Sequence, residues 1–143
     1  MDPAAIRAGL VANLQTIAAP FHAYETAPNS PEPPCAWMWP DDPFIERDSM
    51  HMGIICCNYK IVVCVQAGDN EAGLNQLDSY LATSGEKSVW RAIESDKRAP
   101  QGALNGAADD VSVVEVKRFD GNYILGGNGY FAAEFSVQTL CRG

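Results

Sequence analysis

The chain has 143 residues, a length that suits one domain with a single sustainable core. Hydrophobic residues make up 47% and charged residues 20%, which excludes a disordered chain; no run reaches the roughly 20 apolar residues of a helical membrane span. Eighteen acids against ten bases give a net charge of −8, without the basic footprint that grips nucleic acid, although an acidic surface also suits a protein past which DNA must slide.

The first ten residues carry one arginine and no continuous apolar core, so they read as a helix start and not a signal peptide. Asp2 can cap that helix, and Pro3 sits in the first turn, where its missing N–H costs nothing. Ile6, Leu10, Leu14 and Ile17 recur at helical spacing, predicting an element of about fifteen residues that Pro20 stops. Phe21 to Tyr24 alternates crudely and reads as a short strand.

Pro28, Pro31, Pro33, Pro34, Pro40 and Pro43 then rule out a helix and disfavour a central strand. Within this proline-rich arm, at about 28–50, Cys35 to Trp39 predicts a brief extended piece. Asp41, Asp42, Glu46 and Asp48, interrupted by Phe44 and Ile45, predict an acidic surface loop. Met52 to Val65 predicts a long strand with a bulge near Cys56–Asn58, its gapless Ile61-Val-Val-Cys-Val65 suiting the middle of a sheet. Leu74, Leu77 and Leu81 mark a second helix over Glu71–Tyr80, and Val89, Trp90 and Ile93 a short third one behind Ser88.

After a loop from Lys97 to Asp110, Val111 to Phe119 alternates as a strand. Asp120-Gly121-Asn122 signals one turn and Gly126-Gly127-Asn128-Gly129 a second. Tyr130 to Leu140 makes a last strand with Phe131, Ala133, Phe135, Val137 and Thr139 on one side. The expected fold class is α+β: one domain over 1–143, with a single mixed or antiparallel sheet flanked by helices.

Chemistry is sparse in this pattern. His22 and His51 have no partner at ligand spacing, so neither reads as catalytic or metal-binding. Glycines 126–129 lie between strands with no Lys-Ser/Thr after them, which is a hairpin turn and not a phosphate cradle. Asp109 and Asp110 could pair with Asp96 or Asp120 as carboxylates, but they lack fixed spacing. The five cysteines, at 35, 56, 57, 64 and 141, are odd in number and form no Cys-x-x-Cys; they read as reduced structural thiols, with Cys56–Cys57 the remote candidate for a nucleophile. No catalytic residue, cofactor or metal site follows, and no enzymatic activity is expected.

The aromatics say more about binding. Trp37, Trp39 and Phe44 either wrap back over the domain's own sheet or dock on a neighbouring subunit. In the second case Asp41, Asp42, Glu46 and Asp48 lie at an interface rim or toward a central hole.

Nearly the whole chain resembles the tail terminator proteins of long-tailed phages, especially siphophages. The likeness is carried by Ile6-Arg-Ala-Gly-Leu-Val-Ala-Asn-Leu14, Pro28-Asn-Ser-Pro-Glu-Pro-Pro34, Leu74-Asn-Gln-Leu-Asp-Ser-Tyr-Leu81, Ser88-Val-Trp-Arg-Ala-Ile-Glu-Ser95 and Tyr123-Ile-Leu-Gly-Gly127. Met50-His-Met52 and Cys56–Cys57 depart from the polar strand start usual in that family. The resemblance implies a tail-terminator-like fold and a hexameric ring in the virion, assembled in the host cytoplasm. That ring caps the head-proximal end of the tail tube, ends polymerisation of the tube protein and offers its other face to a head-completion or connector protein. DNA passes through without specific binding. Candidate contact residues are Trp37, Trp39, Phe44 and, in the second hairpin, Asn122, Tyr123, Asn128 and Tyr130. A head-closure or adaptor ring protein is the nearest alternative, and a small enzyme or ligand-binding domain the more distant one.

Overall fold

The structure is a computed structural model describing residues 1–29, 32–49, 53–66, 70–97, 100, 102–125 and 128–142; at 48–49, 70–71, 105, 118–125 and 128–130 the description covers the backbone alone. The chain folds as α+β, with a five-stranded mixed sheet in the order β1-β2-β3-β5-β4. Its elements are α1 (Pro3–Leu14), β1 (His22–Ala23), β2 (Cys35–Ser49), β3 (Ile54–Gln66), α2 (Asn70–Leu81), α3 (Val89–Ile93), a 3-10 turn (Leu104–Gly106), β4 (Asp110–Leu125) and β5 (Asn128–Arg142). The β1–β2 pair is parallel and every other pair antiparallel.

Capping sets the helix starts as the sequence suggests. Asp2 accepts a hydrogen bond from the Ala4 N–H at 3.0 Å, with Pro3 in the first turn. The helix ends at Leu14, well before Pro20; Ile17 is still buried, but from the turn that follows. Ser88 caps α3 by accepting from the Arg91 N–H at 3.0 Å, and its hydroxyl donates to the Ala82 carbonyl.

Strand alternation divides the sheet into two faces. On the helix side, Tyr59, Ile61, Val63 and Val65 of β3 and Phe131, Phe135 and Val137 of β5 meet Ile6, Leu10 and Leu14 of α1, Leu77 and Tyr80 of α2, and Val89 and Ile93 of α3. The opposite face carries a smaller buried cluster of Cys35, Trp37, Val62, Cys64 and Ala132, covered by Tyr24 and Ala27. Beyond that cover the face carries the exposed Trp39 and charged side chains, with Lys117 paired to Glu115 at 3.7 Å.

Three sequence expectations need correction. Residues 41–48 are not a loop: β2 runs through Pro40 and Pro43 to Ser49. Proline is tolerated because, among the described residues, β1 covers β2 only at Cys35 and Ala36 and no outward ladder bond is there to lose along the rest of β2. The bulge expected on β3 lies on β2 instead, where the register jumps from Pro40↔Tyr59 to Ile45↔Cys57, while β3 pairs with β5 without interruption from Ile54 to Gln66. Asp120-Gly121-Asn122 is not a turn either. β4 passes through it with a register shift, and pairing resumes at Tyr123↔Tyr130, Ile124↔Gly129 and Leu125↔Asn128. The two C-terminal strand pieces are thus one strand of one long hairpin.

Candidate functional site

Trp37 and Trp39 share one face of β2, yet their environments differ sharply. Trp37 stands opposite Val62 and is 0% exposed, whereas Trp39 stands opposite Lys60 and is 47% exposed. The cause is the Tyr24–Ala27 segment, which packs over the cluster that holds Trp37. It is tied to β2 by the Tyr24 N–H to the Ala36 carbonyl at 2.9 Å, just after the His22 N–H of β1 meets the Pro34 carbonyl at 3.1 Å. Trp37 therefore wraps onto its own sheet, and Trp39 is the tryptophan of this arm that a partner can reach.

The bulge after Trp39 carries the acids. Lys60 on β3 reaches Asp41 at 3.8 Å, and Asn58 donates to the Pro43 carbonyl at 3.0 Å and to Glu46 Oε1 at 3.3 Å. These two β3 side chains pin the extra residues to the sheet. Asp42 and Glu46 remain exposed, and the side chain of Asp48 lies outside the described residues. Phe44 turns inward, half-buried, with its ring edge-on to Tyr59 at a centroid distance of 5.1 Å. Ile45, on the far side of the bulge, is 45% exposed.

Trp39, on the face away from the helices, and Ile45, opposite Cys57 on the helix-side face, thus flank an acidic bulge along a stretch of β2 that has no further strand beside it among the described residues. At the opposite end of the sheet β4 is an edge with no further strand beside it among the described residues, and Val114 is exposed where a register shift separates Val113 from Glu115. Its start is guarded: Glu94 Oε2 accepts from the Val113 N–H at 3.0 Å, and Lys97 donates to the Ser112 hydroxyl at 3.1 Å. Asn122, Tyr123, Asn128 and Tyr130 belong to the far end of the β4–β5 hairpin by their backbones, and their side chains lie outside the described residues.

The remaining candidates for chemistry do not converge. His22 is exposed and lies 3.5 Å from Glu32, and His51 lies outside the described residues. Asp96 accepts from Asn13 at 3.0 Å, Asp109 from the Arg142 N–H at 2.8 Å, and Asp110 from the Val111 N–H at 2.9 Å; the side chain of Asp120 is outside the described residues. Cys56 and Cys57 point to opposite faces, and burial, with the Cys141 thiol adding, pushes Cys57 up to about 11, against the thiolate a nucleophile needs. Among the described residues no group of three or more His, Cys, Asp or Glu side chains could hold a metal ion. A shallow groove of about 450 Å³ between α1 and the 3-10 turn is lined by small and apolar residues such as Ala5, Ala8, Ala12 and Leu104, without an ionisable side chain. No disulfide joins the cysteines, but Cys35 and Cys64 face each other with their sulfurs 3.3 Å apart, a pairing that their spacing in sequence does not suggest. Compared with known proteins, the chain matches no family model and no curated protein.

Proposed function

We propose that this protein is a structural subunit that assembles side by side into a closed ring, acting as a phage tail terminator. The observation that carries the proposal is the free stretch of β2, where Trp39 and Ile45 are exposed on either side of an acidic bulge while the sheet ends in a second open edge at β4. A contact from one edge region of one copy to the other edge region of the next is heterologous, and such a contact closes into a ring when its rotation divides a full turn. Tryptophan is the side chain most enriched where interfaces draw their energy. The net charge of −8 suits a lumen through which DNA moves without adhering.

In this reading the ring docks on the end of the tail tube and leaves no surface for a further tube ring. Electron microscopy of particles made without the gene tests it: overlong tails without heads are the expected result. Filled heads beside separate tails of normal length would instead assign a head-closure or adaptor role, and normal infectious particles would reject both. Light scattering of the purified protein, alone and with tube protein, reads the mass of the assembly: a fixed multiple of the 15.4 kDa chain is expected, and a monomer under both conditions would count against the ring.

A further inference from the structure

Cys35 and Cys64 are direct partners in the antiparallel β2–β3 ladder. Directly opposed residues in such a ladder have Cα atoms about 4.5–5.5 Å apart, inside the roughly 4.4–6.8 Å that a disulfide spans. Alternation sends both side chains to the face away from the helices, where their sulfurs lie 3.3 Å apart. An S–S bond of about 2.05 Å then needs only a small side-chain rotation, without a change of register.

No other pair of cysteines has this relation. Cys56 stands opposite Glu46 and Leu140, Cys57 opposite Ile45 and Thr139, and Cys141 opposite Ile55. Cys57 and Cys141 are diagonal neighbours, a relation that puts Cα atoms about 7–8 Å apart, beyond the disulfide range. The adjacent Cys56 and Cys57 point to opposite faces.

We propose that Cys35 and Cys64 form an oxidative modification site, a dithiol that closes to a disulfide and clamps β2 to the central strand. The oxidant is a small-molecule disulfide such as oxidised glutathione. One protein thiolate attacks it, forming a mixed disulfide and releasing one glutathione thiol. The second thiol gives its proton to solvent and displaces the remaining glutathione. Two protein thiols are thereby oxidised, and the small disulfide is reduced to two thiols.

Access governs the rate. Both cysteines are 0% exposed, beneath Tyr24 and Ala27. The contact with Cys35 and burial together hold the Cys64 thiol far above its ordinary range. Exchange therefore waits for the Tyr24–Ala27 cover to lift, and the pair reacts in the opened state while the β2–β3 register keeps the sulfurs together. The clamp fixes the start of the strand that carries Trp39, so oxidation stiffens the exposed stretch at its root.

The test uses the whole protein equilibrated with oxidised glutathione, then unfolded in denaturant with excess alkylating agent and digested without reduction. The expected result is a peptide linking Cys35 to Cys64, the loss of two hydrogens per chain, and alkylated Cys56, Cys57 and Cys141. Closing a loop of about 30 residues raises the melting temperature by about 10 °C, and a reductant reverses the rise. Tyr24→Ala speeds closure several-fold, and Cys57→Ala leaves it unchanged. A link between any other pair, a lasting glutathione adduct on Cys35 or Cys64, or no change of mass at equilibrium overturns the proposal. Peptide mapping needs no variant, so the answer does not depend on whether Cys35→Ala or Cys64→Ala folds.

Discussion

Replacing Trp37 and Trp39 separately by alanine tests the division between the covered and open parts of β2. Trp37 is 0% exposed and packs with Val62, Cys64 and Ala132 under Tyr24, so Trp37→Ala leaves a cavity as well as losing burial. Such truncations cost about 3–5 kcal/mol, and at about 3 °C per kcal/mol for a chain of this size the melting temperature falls by roughly 9–15 °C. Trp39 keeps about half its surface in water already. The buried half, roughly 100 Å² at about 25 cal/mol per Å², gives an upper bound near 2.5 kcal/mol. Compactness of the unfolded chain and the absence of a cavity bring this to about 1–2 kcal/mol, a fall of about 3–6 °C. Thermal melts by circular dichroism give both numbers, and light scattering on the same samples reads assembly. If the protein assembles as proposed, the expected outcome is a folded Trp39→Ala protein that fails to assemble, beside a Trp37→Ala protein crippled in stability. Equal thermal losses would refute the claim that the Tyr24–Ala27 segment separates the two environments, and intact rings from Trp39→Ala would remove Trp39 from the interface.

Three further outcomes follow from single contacts. A Cβ at Gly9 would lie 2.7 Å from Leu104 Cβ and 2.9 Å from the Leu104 carbonyl oxygen, and Leu104 is held in the left-handed region at φ 54. Gly9→Ala therefore costs about 1–2 kcal/mol net of the helix propensity that alanine restores, read as a lower urea midpoint. Ser88→Ala removes a buried hydroxyl that accepts from the Arg91 N–H and donates to the Ala82 carbonyl; about 2 kcal/mol is lost, and amide exchange at Arg91 accelerates. The unfolded chain releases the Cys57 proton near 9.0, whereas the folded chain holds it to about 11. Stability from this group is complete below pH 9 and falls as pH rises from about 9 to about 11, by about 3 kcal/mol at most. Burial raises Cys141, Tyr59 and Tyr80 as well, so they act in the same direction. Melts at pH 8 and pH 11 check this, with a shallower decline expected for Cys57→Ala; a flat or rising profile would contradict it.

Local rules made part of this fold legible. Asp2, Pro3 and the Ile6-Leu10-Leu14 stripe suffice for α1, because capping and periodicity act within a few residues. The gapless Ile61–Val65 run suffices for a strand in the middle of the sheet. Where partners are distant in sequence, local signals mislead. Asp120-Gly121-Asn122 is good turn chemistry, but β5 pairs on both sides of it and the strand continues. Pro40 and Pro43 argue against a strand only if their outward side must join a ladder, and β1 stops pairing at Ala36. Trp37 and Trp39 have the same chemistry and face; only the packing of Tyr24 and Ala27 makes one core and the other surface. The Cys35–Cys64 contact depends on the β2–β3 register, which no spacing of cysteines encodes.

The free stretch of β2 combines two opposed requirements. An exposed strand edge invites unlimited pairing with other chains, and prolines, charges and bulges are the usual means of preventing it. Pro40, Pro43 and the bulge held by Asn58 and Lys60 interrupt this edge along its length, while Glu94 occupies the Val113 N–H on the opposite edge. Backbone addition is thus hindered along β2 and at Val113 near the start of β4, while Trp39 and Ile45 stay exposed on opposite faces of β2. In the proposed assembly a contact that seats Trp39, with acids at its margin, would take its angle and register from side-chain packing that a bare strand edge lacks. In the proposed ring one heterologous contact repeats at a rotation that divides a full turn, so that the last subunit returns to the first; at any other rotation the same contact would build an open helix.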